Sequence, residues 1–129
     1  MSTNAKPPRS APPDGTPSFD PAPLNDLKAV MDAAKFVALA TQLTQGLEAR
    51  LGRLAEMLEG SSWTAAAEGA HDIVSVAGNV GAMRLSALAR ILEHACKTGT
   101  DTERRSASAN LRNEAVGAMR ALKSYRSAA

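Results

Sequence analysis

The sequence predicts an all-α fold: an antiparallel, up-down four-helix bundle with a short extra helix at its N-terminal end. Three observations predict it. All seven prolines lie at or before Pro23, so no later position carries the fixed φ and missing N–H that break helices. Aromatic residues make up only 3% of a chain that is 44% hydrophobic. A core built from Leu, Ala, Val, Ile and Met favours helices over a sheet. Apolar residues also recur at helical spacing in stretches separated by Gly and Ser breaks. With 129 residues the chain is long enough for one domain around one core.

The elements follow in order. Residues 1–19 read as a disordered, Pro-rich tail, and residues 20–129 as the helical domain. Pro23 or Asn25 opens a short helix from Leu24 to about Ala33. A long helix from about Lys35 to Glu59 carries the stripe Phe36, Leu39, Ala40, Leu43, Leu47, Leu51, Leu54 and Leu58. Gly60, Ser61 and Ser62 end it, and Ser62 is placed to cap the next helix. That third helix ends near Gly78 and Asn79, residues that tolerate a left-handed turn. A fourth, from about Ala82 to Thr98, buries Leu85, Leu88, Leu92 and Ala95 before Gly99 stops it. Asp101 or Thr102 caps the last helix, whose core side is Leu111, Ala115, Ala118, Leu122 and Tyr125. Short loops make consecutive helices antiparallel neighbours. Cys96 and Trp63 read as packing residues, and His94 as an outer-face residue.

Charge and composition exclude several classes. Leu24–Val80 holds four Lys/Arg against seven Asp/Glu, a balance of −3; Gly81–Ala129 holds nine against four, a balance of +5. The later half offers a solvated basic face that can meet an acidic partner. Scattered cations and few aromatics argue against nucleic-acid binding. No apolar run is long enough to span a bilayer, and the N-terminus lacks the apolar core of a secretion signal. One cysteine allows no internal disulfide and no cysteine metal cluster. The expected compartment is the cytoplasm.

The third helix carries the chemistry. Trp63, Ala66, Ala70, Ile73 and Ala77 share one face, which is the core side. His71 points roughly 130° away from the centre of that stripe. Around it lie Thr64, Ala67, Glu68, Ser75 and Gly78, several of them too short to screen the ring. An ordinary surface histidine would also sit there. The small neighbours instead suggest an imidazole left open to a second protein.

The segment AHDIVSVAGNVGAMRLSALARILE, residues 70–93, resembles the signature of the histidine phosphotransfer family. That pattern reads A-H-x-L-K-G-S-x-x-N-L-G-A-x-x-L, then a leucine pattern ending in L-E. Ala70, His71, Asn79, Gly81, Ala82, Leu85, Leu92 and Glu93 match it, and Ile73 and Val80 are apolar replacements. The helix order fits over about residues 20–126. Two positions depart: Val74 stands where the family has lysine, and Ser75 where it has glycine. Without that lysine, a phosphoryl group of about −2 charge would sit near Glu68 and Asp72. The expectation is a less stable phosphorylated state, or a partner that supplies the cation.

The resemblance implies a phosphorelay. His71 would accept a phosphoryl group from a receiver-domain aspartate and pass it to another response regulator. A hybrid sensor histidine kinase is a further implied partner. Imidazole suits the task because its reference pKa near 6.5 leaves much of it neutral and nucleophilic at cytosolic pH. No cofactor is expected in this chain, since Mg²⁺ belongs to the receiver in the family. Glu68 and Ser75, one turn to either side, are the candidates to hydrogen-bond the ring. Ala67 and Gly78 leave room for the partner, and Arg84 is the candidate partner-contacting cation.

The same residues bear on other classes. A receiver-binding adaptor without phosphoryl transfer is the alternative that Val74 favours. Glu68–His71 has the Glu-x-x-His spacing of di-iron bundles, but Ile91 stands where a second motif would need its glutamate before His94. A kinase is excluded for want of a Gly-rich nucleotide loop.

Overall fold

The computed structural model describes residues 15–128. Five helices follow one another: α1 (Ala22–Val30), α2 (Ala33–Glu59), α3 (Trp63–Asn79), α4 (Met83–Thr98) and α5 (Asp101–Ala128). Each of α2 to α5 packs on its sequence neighbours, and α5 closes back on α2. The result is the expected four-helix bundle, with α1 added against α2. Phe36, Leu47, Leu54, Ile73, Val80, Leu85, Leu92 and Leu122 are the largest fully buried side chains. Burial of each such side chain stabilises by about 1.5–3 kcal/mol. The core edges of the predicted stripes are softer: Leu39, Leu43, Leu51, Ala115 and Tyr125 are only partly buried.

The helix ends differ from expectation in instructive ways. α1 spans Ala22–Val30 rather than Leu24–Ala33. Pro23 fits inside its first turn, where an N–H is not needed. Asp32 ends the pause that follows by accepting from the Ala34 N–H at 3.1 Å, which starts α2 two residues early. Ser62 occupies the N-cap of α3, but its side chain makes no cap bond. The left-handed residue before it is Ser61, at φ 54°. The cap of α5 is Thr100, not Asp101 or Thr102. Its hydroxyl accepts from the Glu103 N–H at 3.2 Å, and Glu103 accepts from the Thr100 N–H at 2.8 Å, a reciprocal capping box.

The turn between α3 and α4 rests on Gly81, not on Gly78 or Asn79. Gly81 has φ +86°. Its carbonyl accepts from the Asp20 N–H at 2.7 Å, and a Cβ at Gly81 would lie 1.9 Å from the Asp20 carbonyl oxygen. The turn therefore needs glycine twice, for its conformation and for this close approach.

That approach also revises the tail. Residues 1–14 of it lie outside the described residues. Thr16 to Asp20, expected to be disordered as far as residue 19, instead run against the bundle. Arg84 donates from Nε and Nη2 to the Thr16 carbonyl at 3.1 and 2.8 Å, and its backbone N–H donates to Pro17 at 3.0 Å. Phe19 sets its ring edge-on to Tyr125, with centroids 5.8 Å apart. Pro-rich composition favours extended backbone but does not prevent docking when neighbours supply hydrogen bonds.

Two glycine substitutions separate these roles. Gly81→Ala should cost about 2–4 kcal/mol through positive φ and the displaced Asp20 backbone. Gly52→Ala, inside α2 with open space around a new Cβ, should instead add about 0.5–1 kcal/mol. Urea unfolding followed by circular dichroism reads both.

Candidate functional site

The site lies on the seam between α3 and α4. Small side chains build that seam: Ala66, Ala70, Ala77 and Ala89 are fully buried, and Ala67 nearly so. Short side chains let two helices approach closely. Ser86 of α4 adds a bond across it, donating its hydroxyl to the Val74 carbonyl at 2.7 Å. Residues one turn further out on each helix can then reach one another.

His71 and Glu93 do so. The His71 side chain is 70% exposed, while that of Glu93 is 16% exposed. His71 Nδ1 lies 3.1 Å from Glu93 Oε2 and 3.2 Å from Oε1. A carboxylate only accepts, so Nδ1 carries the proton and donates it. A neutral ring then holds its lone pair on Nε2, and none of the hydrogen bonds among the described residues involves Nε2. That nitrogen belongs to an exposed ring.

Lys97, one turn further along α4, donates from Nζ to the same Glu93 Oε2 at 2.9 Å. Its hydrogen bond and that of His71 hold the Glu93 carboxyl below the usual carboxylate range, although partial burial pushes the other way. Glu93 is thus charged at neutral pH.

The remaining candidates fall into place around this pair. Ala67, Glu68 and Asp72 line the same shallow cleft as His71, Glu93 and Lys97, with Ala67 as its buried floor. Glu68 and Ser75 are exposed, and the ring's hydrogen bond goes to Glu93 rather than to either. Val74 is half-buried against the core. Gly78 sits in the seam beside Ser86, where a Cβ would make an ordinary 3.7 Å contact. Arg84 is engaged within the chain, through Thr16 and through Glu114 at 3.7 Å, about nine residues and 13 Å of helix rise from Glu93. On the other flank of α3, Arg50 and Arg53 of α2 share a groove with Glu68 and Asp72.

Sequence reasoning did not assign roles to Glu93 and Lys97. Two signals pointed to them: Glu93 closes the matched motif, and Glu93–Lys97 is an i,i+4 acid–base pair in the favourable order. His94, its neighbour, turns away and meets Thr98 at 3.3 Å. The 930 Å³ cleft between α2 and α5 is larger than the 510 Å³ cleft beside His71. Among the described residues, no three His, Cys, Asp or Glu side chains converge as metal ligands, and no helix is long and apolar enough to cross a membrane.

Comparison with known proteins bears on the family and the fold. A family model described as the Hpt domain matches residues 38–124. Among solved structures, the chain is similar to histidine-containing phosphotransfer protein B (HptB) from Pseudomonas aeruginosa PAO1. The TM-score is 0.76 at 22% identity, over 88% of this chain and 97% of that one. Comparison with curated proteins gave no match.

The lowered pKa of Glu93 fixes the sign of a pH effect. A carboxyl depressed in the folded state contributes stability above its unfolded pKa and loses it as pH falls through the folded value. Glu93→Gln should therefore be slightly less stable than the parent at pH 7, by under about 1 kcal/mol for so exposed a network. The gap should close below the carboxylate range, as read by thermal melts between pH 7 and pH 3 (about the span of acid titration).

Proposed function

The chain belongs to the Hpt domain family, and on that premise we propose that His71 carries a phosphoryl group between receiver domains. Members of the family are phosphocarriers of phosphorelays, not kinases, and they meet receiver domains and histidine kinases. The finer reading is that His71 takes the group from a receiver aspartate and passes it to another response regulator, in the cytoplasm. A hybrid sensor histidine kinase is the upstream partner.

The observation that carries this reading is the Nδ1–Glu93 hydrogen bond beneath an exposed Nε2. In the forward step the Nε2 lone pair attacks phosphorus. The N–P bond forms as the acyl-phosphate P–O bond breaks, and the electron pair leaves with the receiver's carboxylate. The Nδ1 proton stays on the ring, which becomes an imidazolium. Its new positive charge develops against the Glu93 carboxylate, already charged and already in place. In the return step a second receiver's carboxylate attacks phosphorus, and neutral imidazole leaves. The ring needs no proton transfer in either direction. Mg²⁺ belongs to the receiver's acidic pocket in this proposal.

Val74 favours one other reading, an adaptor that binds receivers without accepting the group. A label separates the two. Receiver domains charged from labelled acetyl phosphate should transfer acid-labile, base-stable label to the parent chain and none to His71→Gln. Glu93→Gln should slow the transfer by about tenfold or more, the worth of a charge-assisted hydrogen bond. Receivers that bind the parent chain yet never label it would leave the adaptor.

A further inference from the structure

We propose that Lys97 is the mobile counter-ion of the phosphoryl group on His71, supplying from α4 the cation that position 74 lacks. The inference rests on the phosphocarrier reading of His71 and adds the residue that balances charge at that site.

The cleft around His71 sets the problem. Its charged walls are Glu68 and Asp72 from α3, and Glu93 and Lys97 from α4. Three are acids. A phosphoryl group of about −2 charge arriving there meets repulsion unless a cation reaches it. Val74 offers an apolar side chain held against the core. Arg50 and Arg53 share a different groove with Glu68 and Asp72, and Arg50 donates to the Gly46 carbonyl at 3.1 Å. Among the described residues, Lys97 is the cation that lines the His71 cleft.

Its placement fits the task. Lys97 Nζ and His71 Nδ1 share one oxygen of Glu93, at 2.9 and 3.1 Å. The ammonium therefore lies no further from the ring than those two bonds laid end to end. The Lys97 side chain is 60% exposed. An ammonium on a flexible four-carbon stem can rotate from one oxygen acceptor to another without moving the helix.

The charges then exchange partners. Before transfer the ring is neutral, and Glu93 is paired with Lys97. Transfer makes the ring an imidazolium and adds the dianionic phosphoryl group. Glu93 now pairs with the ring, and the released ammonium turns to the phosphoryl oxygens. Two cations face two anionic groups, and no bond forms or breaks in the exchange itself. When the phosphoryl group leaves, Lys97 returns to Glu93. Lys97 thus acts on the stability of the phosphorylated state through direct contact with the phosphoryl group, and Nε2 does the chemistry.

The test uses the full chain with potassium phosphoramidate as donor, so that no partner supplies a cation. Label on His71 and its decay are followed by mass spectrometry and ³¹P NMR. Lys97→Gln should lower the label at equilibrium by about two- to fivefold, the range expected for an exposed ion pair. Lys97→Arg should keep most of it. Val74→Lys in the Lys97→Gln background should restore it, and Arg53→Gln should match the parent. Thermal melts confirm that each variant is folded. Label in Lys97→Gln equal to the parent, equal loss in the Arg variant, or equal loss in Arg53→Gln overturns the inference while leaving the phosphocarrier reading intact. A parent chain that takes no label at His71 removes that reading and this one together.

Discussion

One oxygen of the Glu93 carboxylate organises the site. It accepts from the His71 ring at 3.1 Å and from the Lys97 ammonium at 2.9 Å. The first bond fixes which ring nitrogen holds the proton, and so which one would be the nucleophile in the proposed transfer. The second keeps the carboxylate charged and, in the proposed exchange, holds a cation beside the ring. Nothing else in the cleft needs to be reactive. A phosphocarrier of this kind contributes orientation and charge, while a partner contributes the rest of the active site.

The bundle makes that arrangement rigid. His71 and Glu93 come from different helices, so their spacing depends on how closely α3 and α4 pack. Alanines at 66, 70, 77 and 89 allow a close seam, and the Ser86–Val74 bond crosses it. Gly81 sets the reversal between the two helices, with the Asp20 backbone pressed against it. The Thr16–Asp20 segment in turn is held by Arg84, at the start of α4. Arg84, the candidate partner-contacting cation, ties that segment to the far end of the helix that carries Glu93.

Much of this was legible in the sequence. Helical periodicity gave the bundle and the outward direction of His71, because a 3.6-residue repeat assigns faces directly. Glu93 stood within the matched motif, yet its bond to His71 spans 22 positions, and periodicity within one helix says nothing of the facing helix. Glu68 and Ser75 were nearer on the wheel and lost to a residue across the seam. Caps and turn residues were misplaced by one to three positions: Thr100 rather than Asp101 or Thr102, and Gly81 rather than Gly78 or Asn79. Each cap depends on backbone angles that several neighbouring polar or glycine residues could equally adopt. The docking of Thr16–Asp20 was hidden because its partners, Gly81, Arg84 and Tyr125, are distant in sequence.

The central claim is that Glu93 holds the Nδ1 proton and leaves Nε2 as the nucleophile. Long-range ¹H–¹⁵N correlation spectra of the histidine-labelled chain, at a pH where the ring is neutral, test it most directly. The account predicts a protonated Nδ1 and an unprotonated Nε2 at His71, with that preference lost in Glu93→Gln. A ring protonated on Nε2, or one averaging over both tautomers in the parent chain, would contradict it.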